Sequence, residues 1–207
     1  MHVPVHTPDK IKAGIFWEIY EYQKRFLISK YLPRNYDVLE LGASLGLTSG
    51  AILKRLNSGR KLISVEANQI LKEYWLKNTA GCSDHSTTAV LENALVSYVT
   101  TDGFESGLDN LTGRASSSGT SMPKITLQEI AKRFFLREPF SLVMDVEGME
   151  YEILRHEMPF IRRCSFVCAE LHGSREQTLN FYNEMNRCGF QLLDQKHTVA
   201  AWQRSVA

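Results

Sequence analysis

Asp37-Val-Leu-Glu-Leu-Gly-Ala-Ser-Leu-Gly46 is a short apolar run that breaks into a glycine turn and continues into the helical pattern Thr48–Leu56. A buried strand of a parallel sheet reads as such a run, because both of its faces are covered. The turn then feeds a helix whose first N–H groups have no partner within the helix. This strand–turn–helix unit recurs along the chain. Strand-like runs at Lys61–Val65, Thr88–Glu92, Ser141–Met144 and Phe166–Ala169 alternate with helical patterns at Gln69–Asn78, Thr126–Phe135, Met149–His156 and Arg175–Arg187. Alternation of this kind predicts an α/β fold around a mostly parallel sheet.

The two ends differ from this middle. From Asp9 to Tyr31 the residues Ile11, Ile15, Phe16, Ile19, Tyr22, Phe26 and Leu27 fall at three- and four-residue spacing, which predicts one N-terminal helix ending before Pro33. At the other end Phe190–Leu193 and Thr198–Trp202 flank a polar Asp194-Gln-Lys-His197, which predicts a closing antiparallel hairpin. Gly103–Ser121, with four glycines and a run of serines, has little periodicity and reads as a long loop or flap.

The 207 residues are 43% hydrophobic and 23% charged, which suits one domain with a core of its own. The net charge of +1 gives no electrostatic reason to expect nucleic acid or an anionic membrane as partner, so a small-molecule substrate is expected. The four cysteines form no Cys-x-x-Cys pair and the first residues lack the layout of a signal peptide, so a reducing, cytoplasmic setting is expected. No apolar run reaches the roughly 20 residues that span a bilayer.

Chemistry-bearing residues fall where the strands end. Gly42 and Gly46 would let a ligand approach the backbone of the first turn, a nucleotide-type pocket. A dinucleotide would want Gly-x-Gly-x-x-Gly, but the second and third positions here are Ser44 and Leu47. Glu40 beside the turn would repel a diphosphate and attract a sulfonium or ammonium group. Glu66 closes the next strand roughly 20 positions on, where a carboxylate can accept both ribose hydroxyls. Asn93 can read an adenine edge and Ala94 leaves room for the ring.

Asp145 and Glu147 end the strand Ser141–Met144, where they could hold a substrate amine, take a proton, bind a metal or cap the next helix. Glu170 and His172 reach the same edge from the neighbouring strand, and a histidine near carboxylates is a candidate base or metal ligand. Asp145, Glu147 and His172 are therefore the expected catalytic residues. A divalent ion on Asp145, Glu170 and His172 is a variant of this reading, but none is predicted.

Glu40-Leu-Gly-Ala-Ser-Leu-Gly46, Val65-Glu66, Glu92-Asn-Ala-Leu-Val-Ser97, Ile125-Thr-Leu127, Met144-Asp-Val-Glu-Gly-Met-Glu-Tyr-Glu-Ile-Leu154 and Ala169-Glu-Leu-His172 together resemble the FkbM family of S-adenosylmethionine-dependent methyltransferases, over roughly Val38 to Trp202. The Asp-Val-Glu-Gly-x-Glu stretch is the most specific of these marks. The resemblance implies a Rossmann-like class I methyltransferase fold with a seven-stranded sheet, residues 37–207 forming that domain and 1–36 a helical extension. It implies methyl transfer, usually to a hydroxyl oxygen of a sugar or secondary metabolite. S-adenosylmethionine would be held by Glu40, Gly42, Ala43, Ser44 and Gly46 at its methionine part, by Glu66 and Ala67 at the ribose and by Asn93 and Ala94 at the adenine. Asp145 would face the reacting centre. The chain departs from the family pattern at Glu40 and Ser44, where Asp and Asn are common, and at Gln128-Glu129, where Asp-Asp is common. The alternatives are a non-catalytic nucleotide-binding module and an NAD-dependent oxidoreductase.

Overall fold

The computed structural model describes residues 1–17, 19–83, 86–96, 103–107, 113–116 and 119–204. The elements run α1 (Asp9–Phe16), α2 (Tyr22–Tyr31), β1 (Val38–Leu41), α3 (Leu47–Arg55), β2 (Lys61–Glu66), α4 (Leu71–Thr79), β3 (Thr88–Asn93), β4 (Leu95–Val96), β5 (Gly103–Ser106), β6 (Gly113–Ser116), β7 (Thr120–Ser121), β8 (Lys124–Ile125), α5 (Leu127–Arg133), β9 (Phe140–Met144), α6 (Glu150–Ile161), β10 (Cys164–Glu170), α7 (Arg175–Arg187), β11 (Phe190–Lys196) and β12 (Val199–Arg204). The main sheet has seven strands in the order β3-β2-β1-β9-β10-β12-β11. β12 pairs antiparallel with β10 and with β11, and the other pairs are parallel. The parallel sheet and the closing hairpin are as the sequence predicts.

Strand alternation splits the core into two layers. Leu39, Leu41, Leu142, Met144 and Val167 face α5, α6 and α7. Val38, Val143, Phe166 and Cys168 face Leu27 and Ile28 of α2, Leu32 just after it, and Ile52 and Leu53 of α3. The buried Asp37 carboxylate pins the strand starts, accepting from the Lys61 N–H at 3.0 Å and from the Arg137 guanidinium at 2.8 and 3.0 Å. The order of the strands reverses between β1 and β9, and in an open sheet the crevice beyond the strand ends at such a point receives ligands. The turns after β1 and β9 touch there.

Three expectations are corrected. The single helix Asp9–Tyr31 is two helices, broken before Glu21, whose φ of 54° is left-handed. Spacing alone cannot see such a break, and it turns α2 so that Lys24 and Ile28 point inward while Phe16, Ile19 and Tyr22 stay exposed. The helix expected to end at His156 continues to Ile161 through Pro159, with a kink at Glu157, where φ is −116°. Among the described residues of Gly103–Ser121, the glycine-rich stretch is a three-stranded antiparallel sheet, β6-β5-β7, rather than a loop. A Cβ on Gly113 would lie 2.1 Å from the Phe104 ring, so this glycine makes room for the aromatic side chain across the strand.

Candidate active site

A cleft opens at the reversal point, beyond the ends of the parallel strands. Its lining includes Gly42 and Ser44 from the β1 turn, Glu66 and Ala67 from the end of β2, Ala94 beyond β3, and Asp145 and Glu147 beyond β9. Tyr20 and Glu21 of the N-terminal segment, Phe104 of β5 and Gly113 of β6 also line it.

Glu66 is buried, and its carboxylate braces the turn: Oε2 accepts from the Ser44 N–H at 2.8 Å and Oε1 from the Asn68 N–H at 2.7 Å. Burial raises its pKa, and these backbone donors oppose the rise. Asn93 lies one strand over and donates Nδ2–H to the Glu66 carbonyl at 3.2 Å. The Asn93 amide is thus spent partly on the protein, and among the described residues it does not line the cleft, whereas Ala94 does.

Glu40 is placed differently from the expectation. Strand alternation turns it towards α3, where it is 1% exposed and its Oε2 accepts from Ser49 and Ser64 hydroxyls, each at 2.5 Å. Burial pushes its pKa up to about 7, so it is a weak source of negative charge for a cationic ligand at neutral pH. Gly46 packs against α4, where a Cβ would lie 3.0 Å from the Trp75 ring, and Ala43 is buried; neither is among the lining residues.

The catalytic candidates do come together. His172 places Nε2 3.7 Å from Asp145, 3.8 Å from Glu147 and 3.9 Å from Glu170. Its Nδ1 lies 3.2 Å from Oε1 of Glu150, which is fully buried. Glu150 also caps the turn after β9, accepting from the Val146 N–H at 2.9 Å and from the Gly148 N–H at 3.1 Å. The capping role weighed for Glu147 thus belongs to Glu150, and Glu147, at a left-handed φ of 51°, faces the cleft. Burial raises the pKa of Glu147. Asp145, Glu147 and His172 each offer a ligand atom, all within 4.8 Å of one another, so this trio could hold a divalent ion.

The hydrogen bond to Glu150, with the neighbouring carboxylates, pushes the His172 pKa up to about 9. In the free protein at neutral pH His172 is therefore an imidazolium, and it becomes a base only after losing that proton. Because the folded value lies above the ordinary 6.5, this pairing stabilises the fold fully below pH 6.5 and is lost as pH rises through about 9. The wild-type unfolding free energy in urea is expected to fall over that window by up to roughly 3 kcal/mol more than that of His172→Asn. Parallel profiles for the two proteins would show that the histidine carries no such linkage.

Sequence reasoning missed Tyr20, Glu21, Lys24, Phe104 and Glu150. Lys24 is 2% exposed; its ammonium donates to Asp145 and lies 3.6 Å from Glu170 and 4.0 Å from Glu21. Only Glu150 left a trace, as the final residue of Asp-Val-Glu-Gly-x-Glu. Among the described residues of this charge cluster carboxylates outnumber cations, with Glu21, Asp145, Glu147, Glu150 and Glu170 facing Lys24 and His172.

Residues 40–192 match the model of the methyltransferase FkbM domain. No curated protein matches the chain. Among solved structures, the precorrin-6y C5,15-methyltransferase of Geobacter metallireducens GS-15 is similar with a TM-score of 0.53 at 11% identity, over 91% of this chain and 88% of that one. A candidate RNA methyltransferase of Pyrococcus horikoshii is similar with a TM-score of 0.51 at 10% identity, over 91% and 84%. At such identities the likeness is one of fold, the Rossmann-like fold of class I methyltransferases. Among the described residues no helix is long and apolar enough to cross a membrane.

Proposed function

The chain belongs to the FkbM methyltransferase family, and from that membership we propose that it transfers the methyl group of S-adenosylmethionine to a hydroxyl oxygen of a small acceptor, a sugar or secondary metabolite. The observation that carries this reading is the Glu66 carboxylate, held by two backbone N–H groups at the end of β2 and lining the cleft. A carboxylate with unused lone pairs at that position suits a ribose diol. The acidic surplus around the cleft suits a sulfonium and disfavours a diphosphate, which speaks against NAD.

When bound, S-adenosylmethionine supplies an electrophilic methyl group on a positively charged sulfur. This chain's residues align the acceptor and take its proton. Gly42 and Ser44 present backbone to the ligand, and Ala67 and Ala94 leave space beside Glu66 for a flat base. Asp145 and Glu147 line the same cleft, where a carboxylate can meet an acceptor hydroxyl. Asp145 is the proton acceptor in this reading. His172 serves as a charged partner that orients the carboxylates, and it could relay the proton once the cationic ligand has lowered its pKa.

Calorimetric titration of the full chain with S-adenosylmethionine, S-adenosylhomocysteine and NAD tests the reading. Binding of both sulfur ligands at micromolar concentration, with none of NAD, is expected. No binding of either sulfur ligand would overturn it and leave the non-catalytic module.

A further inference from the structure

The family match begins at residue 40, yet the cation buried among the site's carboxylates comes from ahead of it, from Lys24 in α2. One turn further along the same helix, Leu27 and Ile28 cover the sheet with apolar side chains. An ammonium at the equivalent depth is costly unless it is paired and hydrogen-bonded, so mere covering of this face would be better done by another apolar residue. Lys24 is paired. It donates to Oδ2 of Asp145, at the end of β9, and lies 3.6 Å from Oε2 of Glu170, at the end of β10.

Each of those carboxylates turns its other oxygen the opposite way. Oδ1 of Asp145 is 3.7 Å and Oε1 of Glu170 is 3.9 Å from Nε2 of His172. Both acids therefore bridge the buried Lys24 to the partly exposed His172. Each end of this arrangement is anchored in turn. Glu21 lies 4.0 Å from the ammonium and accepts from the Thr48 hydroxyl at 2.7 Å, tying Lys24 to the first turn of α3. Glu150 holds Nδ1 of His172 from α6.

We propose that Lys24 is a positioning residue of the methyl-transfer site, its ammonium fixing Asp145 and Glu170 so that one oxygen of each faces His172. The inference rests on the reading of this cleft as the site of methyl transfer. It makes the N-terminal segment part of the reaction centre, since Tyr20 and Glu21 line the cleft and Lys24 holds the carboxylate of Asp145, which also lines it. Without Lys24, Asp145 and Glu170 would face each other with only His172 as counter-ion, and both would turn towards it.

The His172 titration reads this arrangement directly and needs no acceptor. The groups facing His172 are Asp145 and Glu147 beyond β9, Glu150 of α6 and Glu170 of β10, with Lys24 of α2 behind the two bridging acids. Imidazole resonances would be followed by NMR against pH in the full chain and in Lys24→Met and Lys24→Arg. Loss of the ammonium should move the His172 midpoint upward from about 9, by about half a pH unit or more. Lys24→Arg should return it towards wild type.

Should Lys24→Met fail to fold, the pair Lys24→Met with Glu170→Gln removes one charge of each sign, and its midpoint is compared with that of Glu170→Gln alone. A midpoint unchanged by loss of Lys24 in a folded protein overturns the proposal. Calorimetry of the wild type with S-adenosylmethionine is run alongside. No binding there, with the His172 midpoint still moving, would overturn the methyl-transfer reading, and with it the role in that reaction, while leaving the charge bridge standing.

Discussion

Glu66→Ala is expected to weaken S-adenosylmethionine binding by at least about 100-fold. Two hydrogen bonds from a diol to a carboxylate are worth roughly 1.5–3 kcal/mol each, and about 2.7 kcal/mol corresponds to 100-fold in affinity. The same substitution removes the acceptor of the Ser44 and Asn68 N–H groups, each buried bond lost costing about 1–3 kcal/mol of stability. The melting temperature of the variant should fall as well, and the titration has to be made well below it. Glu66→Gln separates the two effects, because its amide keeps the shape and one acceptor for the turn while losing the charge and an acceptor for the diol. Affinity within threefold of wild type in a folded Glu66→Ala would make Glu66 a brace of the glycine turn and nothing more.

The second large effect is on stability. A Cβ at Gly42 would lie 1.8 Å from the Asp145 carbonyl oxygen and 2.8 Å from its carbon, and φ there is +80°. Neither strand end can give way easily, since the Gly42 N–H is bonded to the Val65 carbonyl at 2.9 Å and the Asp145 N–H to the Leu41 carbonyl at 2.9 Å. Gly42→Ala is therefore expected to destabilise the fold by more than about 4 kcal/mol in urea unfolding. Gly59→Ala is the internal control, because φ there is also positive, at +75°, with nothing within 4 Å of the added carbon. It should cost only about 1 kcal/mol. Equal losses at the two positions would mean that the turns after β1 and β9 are not in tight contact.

This also refines what the glycine turn is for. Gly42 and Gly46 stand out in the sequence as residues that let a ligand approach, yet each has its own protein neighbour where a side chain would sit. Asp145 fills that place at Gly42, and Trp75 and Thr79 fill it at Gly46. The glycines first let the strand ends and helices close on one another, and at Gly42 the cleft forms beside that contact.

The parallel sheet, the closing hairpin and the positions of Glu66, Asp145, Glu147 and His172 at strand ends were legible from the sequence alone. Each follows from a local signal: apolar runs with glycine turns, a change to alternating polarity near the C-terminus, and acids set at the ends of those runs. The tertiary structure decided what periodicity does not encode. It turned Glu40 away from the cleft by strand alternation and broke the N-terminal helix before Glu21. It folded a glycine-rich stretch into strands that carry Phe104 to the cleft, and it gave the cap to Glu150 rather than Glu147. Above all it set Lys24 between Asp145 and Glu170. Coulomb energy depends on distance through space and on the dielectric around each pair, and residues more than a hundred positions apart become neighbours only when helices and sheet are packed.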